Sequence, residues 1–104
     1  MKMIPSLRER KRYLLYKVIS DKQHSNEKVK EAVLTGIKNF LGTYGMAKAG
    51  IMHVTNNILR ITHTETDKVK TALSLISEID GQRTIVQTKY VSGSLNKIKT
   101  IGGV

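Results

Sequence analysis

The sequence predicts an α+β fold in which a four-stranded antiparallel sheet carries two helices on one face. Two apolar segments joined by a short polar turn within Gly50–His63 are typical of a β-hairpin. Apolar residues recur at three- and four-residue steps within 26–41 and 69–79, as in amphipathic helices. β-Branched and aromatic residues within 13–19 and 83–91 indicate two further strands. The order strand, helix, strand, strand, helix, strand is the split βαβ arrangement of ferredoxin-like and RRM-like folds.

The hairpin turn is predicted at Asn56 and Asn57, because Asn tolerates the positive φ of a two-residue type I′ loop. With this loop, Thr55 pairs with Ile58, Val54 with Leu59, and Met52 with Ile61. His53 then faces Arg60, and both lie on the mixed, solvated side of the hairpin. The predicted apolar side consists of Met52, Val54, Leu59 and Ile61.

The first strand, 13–19, is apolar on both sides, which is typical of a strand covered on both faces. One side consists of Leu14, Tyr16 and Val18, and the other of Tyr13, Leu15 and Ile19. Two covers for the second side remain open: a short C-terminal helix within 94–104, or a partner protein. The predicted partner-interface residues are Tyr13, Leu15, Ile19, Leu95 and Ile98.

Capping signals define the two predicted helices of the helix layer. Ser25 or Asn26 is suited to cap the first helix, which Gly42 ends before a loop over 43–49. Thr64 and Asp67 resemble a capping box at the start of the second helix. Gly81 follows the end of that helix.

The chain is predicted to form one domain over 1–104, with a basic N-terminal segment at 1–12 and a tail at 94–104. Eighteen Lys and Arg against eight Asp and Glu give a net charge of +10, which favours a polyanionic partner. The absence of cysteine suits a cytoplasmic protein. The start carries no signal-peptide pattern, and no segment is apolar enough to span a membrane.

Nucleic acid is the leading predicted partner, because the positive charges are locally concentrated. The densest cluster contains Arg8, Arg10, Lys11 and Arg12. Strand 58–63 lacks the aromatic residues on which an RRM stacks bases, so contact is expected mainly with phosphate and 2′-hydroxyl groups. The remaining predicted RNA-binding residues are His53, Arg60, Lys89, Lys97 and Lys99.

No catalytic or metal-binding residue is predicted. The loop Ser20–His24 lacks the Gly and Arg that an acylphosphatase uses to bind phosphate. The three histidines are scattered, and no Cys or G-x-S-x-G elbow supplies a nucleophile. Two alternatives to RNA binding nevertheless stay open, namely a phosphate-ester hydrolase of acylphosphatase type and a small-ligand-binding or oligomerising ferredoxin-like module.

Several segments of the chain carry a family resemblance. They are IPSLRERKRYLLYKV, GTYGMAKAGIMHV, ILRITHTETDKVKTALSLI and VSGSLNKIK. The most specific part is Leu59-Arg60 with His63, followed by Asp67-Lys68-Val69 and Ala72-Leu73. Over nearly the whole chain, these segments resemble the ribonuclease P protein component 2 family, an archaeal family related to a eukaryotic ribonuclease P/MRP subunit. Ser92-Gly93-Ser94-Leu95 resembles a family segment that usually reads SGT.

The resemblance implies a non-catalytic subunit of an RNA-based endonuclease that removes the 5′ leader of precursor tRNA. Catalysis would belong to the RNA and its Mg²⁺, and the protein would bind no cofactor. The implied partners are ribonuclease P RNA, precursor tRNA and a TIM-barrel-like protein subunit. Two such protein pairs would join through this component, which implies a homodimer contact within a heterotetramer.

Overall fold

The computed structural model describes residues 10–55 and 57–102, including their side chains except at 101 and 102. The predictions made for Arg8 and Asn56 therefore lie outside the described residues. The elements are β1 (Lys11–Ser20), α1 (Asn26–Ala49), β2 (Met52–Thr55), β3 (Ile58–Thr62), α2 (Thr66–Ser74), β4 (Glu78–Ile79), β5 (Gln82–Ser92) and α3 (Leu95–Gly102). A 3₁₀ turn at His63–Glu65 precedes α2.

The strands form one antiparallel sheet in the order β2-β3-β1-β5-β4. Strands β1 and β3 are neighbours inside the sheet and β2 is an edge strand. The predicted α+β, ferredoxin-like arrangement is confirmed. The structure adds the two-residue strand β4 beyond β5, so the sheet has five strands instead of four.

The main core lies between the sheet and the helices α1 and α2. Leu14 and Tyr16 of β1 contribute to it, as do Leu59 and Ile61 of β3. Their helical partners include Val33, Ile37, Val69 and Leu73, all fully buried. Each buried aliphatic side chain contributes about 2 kcal/mol relative to an exposed one, so this layer fixes the fold. The predicted side of β1 that contains Leu14, Tyr16 and Val18 is confirmed as one face, and it points to the helices.

The second face of the sheet is covered in part by α3. Leu15, Ile58 and Ile98 form a second buried cluster, against which Tyr13 and Leu95 pack. The partner-interface prediction is therefore corrected for Leu15 and Ile98, because the chain's own C-terminal helix encloses them. Tyr13 and Leu95 are half-buried in the same cluster. Ile19 lies outside it and is 44% exposed.

The hairpin register differs from the prediction by one residue beyond the first pair. Thr55 pairs with Ile58 as predicted, but His53 pairs with Leu59 and Met52 with Arg60. Val54 is the extra residue of a β-bulge, and a one-residue shift moves side chains to the opposite face. Val54 consequently packs with the α3 cluster, and Met52 is exposed.

Helix α1 is longer than predicted. Ser25 caps it as expected, since its Oγ accepts a hydrogen bond from the Lys28 N–H at 3.3 Å. Gly42 (φ 77°, ψ 173°) interrupts the helix, but the chain resumes helical geometry up to Ala49. The predicted loop at 43–49 is therefore wrong. Gly50 (φ 57°) ends the helix, and its N–H donates to the Met46 and Ala47 carbonyls at 3.2 Å.

The residues after α2 form a hairpin instead of a continuing helix. Asp80 (φ 53°) and Gly81 (φ 77°) make the two-residue turn, which lets Ile79 pair with Gln82. Two central residues with positive φ are the requirement of a type I′ loop, and Asp-Gly is a strong sequence signal for it. The prediction of Gly81 as a residue that follows a helix is therefore wrong.

The entry into α2 also departs from the prediction. The chain passes through the 3₁₀ turn, and no side-chain cap hydrogen bond is present at the helix start. Thr66 instead donates its hydroxyl to the His63 carbonyl at 3.0 Å, tying the turn to the helix. The predicted capping box of Thr64 and Asp67 is not formed.

Candidate nucleic-acid interface

Charge is segregated between parts of the fold. Three cations lie on β1, one on β3, two on β5 and two on α3, giving eight with no carboxylate on these four elements. They are Lys11, Arg12, Lys17, Arg60, Arg83, Lys89, Lys97 and Lys99. The seven described carboxylates lie on α1, the 3₁₀ turn, α2, β4 and the loops. Strands β1, β3 and β5 and helix α3 therefore present cations that no carboxylate within the same elements neutralises, and these eight residues are called the basic surface.

Arg12 is held in position by contacts from two distant parts of the sequence. Its Nε donates to Nδ1 of His63 at 3.2 Å. Its guanidinium lies against Gly93, where an added Cβ would approach Nη1 to 2.6 Å. A fixed planar guanidinium offers its remaining N–H groups to a phosphate with little further loss of side-chain freedom. A side chain at position 93 would displace the end of the Arg12 side chain.

The start of β1 is joined to the end of β3 at the same end of the sheet. The His63 N–H donates to the Arg10 carbonyl at 2.7 Å, and Lys11 Nζ donates to Thr62 Oγ1 at 3.2 Å. Arg10, Lys11 and Arg12 therefore belong to an ordered strand start. The structure brings this part of the predicted RNA-binding cluster together with His63.

Arg60 is a further cation at this end of the sheet. It lies opposite Tyr13 of β1, one position along from Arg12, so strand alternation places the side chains of Arg60 and Arg12 on opposite faces of the sheet. Its Nε is buried and has no hydrogen-bond partner among the described residues. A buried donor without a partner costs about 1–3 kcal/mol, and because this atom has almost no exposed surface, it could meet an outside acceptor only after the side chain rearranges.

The remaining predicted lysines lie on β5 and α3. Lys89 is the extra residue of a bulge, because Tyr90 pairs with Leu15 while Thr88 pairs with Tyr16. Its side chain is exposed. Lys97 is exposed and Lys99 half-buried on α3, the helix that covers the second sheet face.

His53 does not lie beside Arg60 on the α3 side of the sheet, so its predicted register and face are wrong, while its assignment as an RNA-binding residue stays a prediction. Because of the bulge at Val54, its ring points to the helix side and lies 2.9 Å from the hydroxyl of Tyr16 at Nε2. Burial, with a smaller contribution from Lys30, lowers the pKa of His53 to about 4. Burial also raises the pKa of Tyr16. The two rings form a half-buried polar link between β2 and β1.

We expect the stability of the protein to decrease as pH falls from about 6.5 to about 4 because of His53. In this window the unfolded chain binds a proton at His53 that the folded chain does not, so unfolding is favoured by acid. Since the ring is only half-buried, we expect a loss of about 2 kcal/mol. Urea unfolding at a series of pH values measures it.

The matched variant for this pH experiment is His53→Gln. The glutamine at 53 keeps a polar partner for Tyr16 but does not titrate, so the slope between pH 4 and 6.5 should flatten. Equal slopes in the wild type and His53→Gln would contradict the assignment.

The loop after β1 has a different character from a phosphate-binding loop. Ser20 Oγ lies 3.2 Å from His24 Nε2, and a cavity of about 380 Å³ is lined by Lys17, Lys22 and their neighbours. The loop contains no Arg to hold a transferring phosphoryl group. The geometry gives no support to the acylphosphatase alternative.

Two cations of the open sheet face were missed by sequence reasoning. Lys17 and Arg83 are both exposed on β1 and β5, beyond the part that α3 covers. Ile19 and Ile85 form an exposed cross-strand pair between them. One sequence feature could have identified Lys17 as exposed, because it is the one polar residue within the otherwise apolar segment 13–19.

Within residues 10–55 and 57–102, no three His, Asp or Glu side chains are grouped to hold a metal ion. None of the described helices combines the length and apolar character needed to cross a bilayer.

Comparison with sequence families gives one match that spans most of the chain. The model of the Rpp14/Pop5 family matches residues 12–101. The match includes every described candidate RNA-binding residue except Arg10 and Lys11.

Individual relatives agree with the family match. The chain is 33% identical to ribonuclease P protein component 2 of Pyrococcus furiosus over 101 residues, covering 91% of this chain and 84% of the relative. The component 2 of Methanococcus aeolicus is 32% identical over 97 residues, with 89% of this chain and 72% of the relative covered. In the cryo-EM structure of yeast ribonuclease MRP, one chain shares the fold with a TM-score of 0.62 at 16% identity, covering 99% of this chain and 93% of its own length.

Proposed function

The chain belongs to the Rpp14/Pop5 family, and from this premise we propose that it is a protein subunit of ribonuclease P that binds the catalytic RNA. Its role is to support removal of the 5′ leader from precursor tRNA. The single observation that carries the proposal is the charge segregation: eight cations and no carboxylate on β1, β3, β5 and α3. RNA phosphates are the anions that such an extended basic surface fits.

We propose that the polypeptide itself breaks no bond. The side chains of the basic surface are guanidinium and ammonium groups, which bind and position phosphates instead of activating a nucleophile. Bond cleavage is assigned to the RNA with its Mg²⁺, and the protein binds no cofactor of its own.

We also propose the protein partners that the family resemblance implies. One is a TIM-barrel-like ribonuclease P subunit, and the other is a second copy of this chain within a heterotetramer. Of the predicted interface residues, Ile19 is the most accessible to a partner, since it is 44% exposed while Tyr13 and Leu95 are half-buried. The cytoplasm is the proposed compartment.

Reconstitution of the holoenzyme tests the proposal. The ribonuclease P RNA and the other protein subunits are assembled with and without this chain, and 5′-leader cleavage of precursor tRNA is measured at fixed Mg²⁺. We expect cleavage to depend on adding the chain at moderate salt. The purified protein alone, freed of nucleic acid, should cleave nothing, and turnover by it would contradict the non-catalytic role.

Salt dependence of RNA binding tests the electrostatic mechanism separately. The logarithm of the binding constant should fall linearly with the logarithm of salt, by about 0.7 per single-strand phosphate neutralised. With several cations engaged, binding should weaken steeply between roughly 0.05 and 0.2 M salt. A binding constant independent of salt would contradict a phosphate-binding surface.

A further inference from the structure

An open groove on the helix layer is separate from the basic surface. It encloses about 700 Å³ between α1 and the segment that follows α2. Phe40 of α1 and Leu75 after α2 line it, and they are 46% and 61% exposed despite their size and apolar character. Large apolar side chains grouped in a concave surface are typical of an interaction site.

Gly36 forms the floor of this groove. A Cβ at this position would lie 2.7 Å from Cγ1 of Ile76, so Ile76 packs directly on the bare backbone of α1. This close approach joins α1 to the segment after α2. The groove is therefore a built feature of the helix layer, and it is lined by apolar side chains such as Phe40, Leu75 and Ile76 together with polar ones such as Thr35 and Asn39.

The rim of the groove is acidic, which is unusual in a chain of net charge +10. Glu31, Glu78 and Asp80 line it, three of the seven described carboxylates. Lys28 also lines it and is ion-paired with Asp80 at 2.9 Å. Glu31 and Glu78 form no ion pair within the described residues, and the rim carries a net negative charge.

We propose that this groove binds a segment of a partner protein that presents apolar side chains flanked by Lys or Arg. The carboxylates repel RNA phosphates, so the groove is unsuited to the ligand of the basic surface. A symmetric pairing of two copies would bring Glu31 and Glu78 against the same carboxylates of the second copy, which disfavours self-association here. An amphipathic helix with basic flanks satisfies both the apolar side chains that line the groove and the acidic rim.

Two synthetic peptides of about 16 residues test the charge preference. Both carry the same Leu-rich face on a helix-forming sequence, and they differ only in having Lys and Arg or Glu as flanking residues. Each is titrated into the isotope-labelled full-length protein by NMR and calorimetry. We expect the basic peptide to bind at least tenfold more tightly than the acidic one, with shift changes centred on Phe40, Leu75 and Ile76.

Matched variants assign the binding to the groove. The double variant Phe40→Ala with Leu75→Ala should lower the affinity for the basic peptide about tenfold. The control Ile85→Ala truncates a similarly exposed side chain on the sheet and should leave that affinity unchanged. Glu31→Lys with Glu78→Lys should reverse the preference between the peptides, whereas Asp21→Lys should not. Thermal melts check that each variant is folded, as expected for exposed positions.

Three outcomes would overturn the proposal. Equal affinity for both peptides would contradict the claim that the acidic rim selects a basic partner. Binding of neither peptide would contradict the claim that the groove is a binding site. Self-association in sedimentation experiments that Phe40→Ala with Leu75→Ala abolishes would assign the groove to a second copy. RNA affinity measured on the same variants should be unchanged, so failure here is distinguishable from failure of the proposed RNA-binding function.

Discussion

Replacing Arg10 and Arg12 together by alanine should weaken binding of ribonuclease P RNA about 10- to 30-fold at moderate salt. Arg12 is held between His63 and Gly93, so its guanidinium is already oriented for a phosphate. Each charge-assisted hydrogen bond contributes roughly 1 kcal/mol net or more, and tenfold in affinity corresponds to about 1.4 kcal/mol. The measurement is a filter-binding or fluorescence titration at several salt concentrations.

The matched control for this double variant is Lys38→Ala with Lys70→Ala. Both lysines are exposed on α1 and α2, so the control removes the same net charge from the helix layer. If binding depended only on the long-range field, the two double variants would lose equal affinity. If the two arginines contact phosphates directly, the slope of the logarithm of the binding constant against the logarithm of salt should become shallower by about 1.4 in the Arg10/Arg12 variant, which is about 0.7 for each arginine. The slope of the control should change little. Equal losses in both would contradict the assigned surface.

Arg12→Lys separates charge from geometry at the same position. Lysine keeps the positive charge but cannot form the planar, forked set of donors. We expect this variant to lose several-fold in affinity with almost no change in the salt slope. Affinity equal to that of the wild type would mean that Arg12 acts as a point charge only.

Much of the fold could be predicted from the sequence, because face assignment follows from local periodicity. The alternation of Leu14 with Leu15 on β1 gives both buried clusters. The hairpin turn fixes the Thr55–Ile58 pair. The bulge at Val54 could not be read locally, since it depends on how His53 and Val54 pack against opposite layers. The bulge at Val54 is the reason that the predicted register and face of His53 are wrong.

Other errors came from signals that compete within one segment. Ile76 and Ile79 continue the apolar spacing of α2, so the helix prediction outweighed the Asp80-Gly81 turn signal. Ile79 is buried in either arrangement, and its burial as part of β4 satisfies the same hydrophobic requirement. Gly42 likewise breaks the helix as predicted, but Gly50 supplies a second stop that allows helical geometry between them.

The individual residues of the candidate site could be predicted from the sequence, but the contacts between them could not. Composition alone identifies Arg12, Lys89 and Lys97 as candidates. The contacts of Arg12 with His63 and Gly93 join positions far apart in sequence, and no local pattern contains them. The sequence left undecided whether α3 or a partner protein covers the second face of the sheet. The burial of Ile98 against Leu15 favours α3.

Replacing Ile98 by alanine should destabilise the folded protein by about 3 kcal/mol. Ile98 is 0% exposed and packs against Leu15 and Ile58, so truncation removes buried apolar surface and leaves a cavity. An eight-residue helix such as α3 is not stable in water without tertiary packing. Loss of this one contact should therefore release α3 together with Lys97 and Lys99. Urea unfolding gives the free energy, and an RNA titration reports the loss of the two lysines.

Ile85→Ala is the matched control for Ile98→Ala, since the same truncation is made on the same sheet face at a side chain 60% exposed. It should change the free energy of unfolding by less than about 1 kcal/mol. A similar small effect at Ile98 would mean that α3 does not stabilise the sheet, and the second apolar face of β1 would then require a partner protein. A large effect at Ile98 alone makes the C-terminal helix both the cover of the second core and the support that holds two cations of the basic surface.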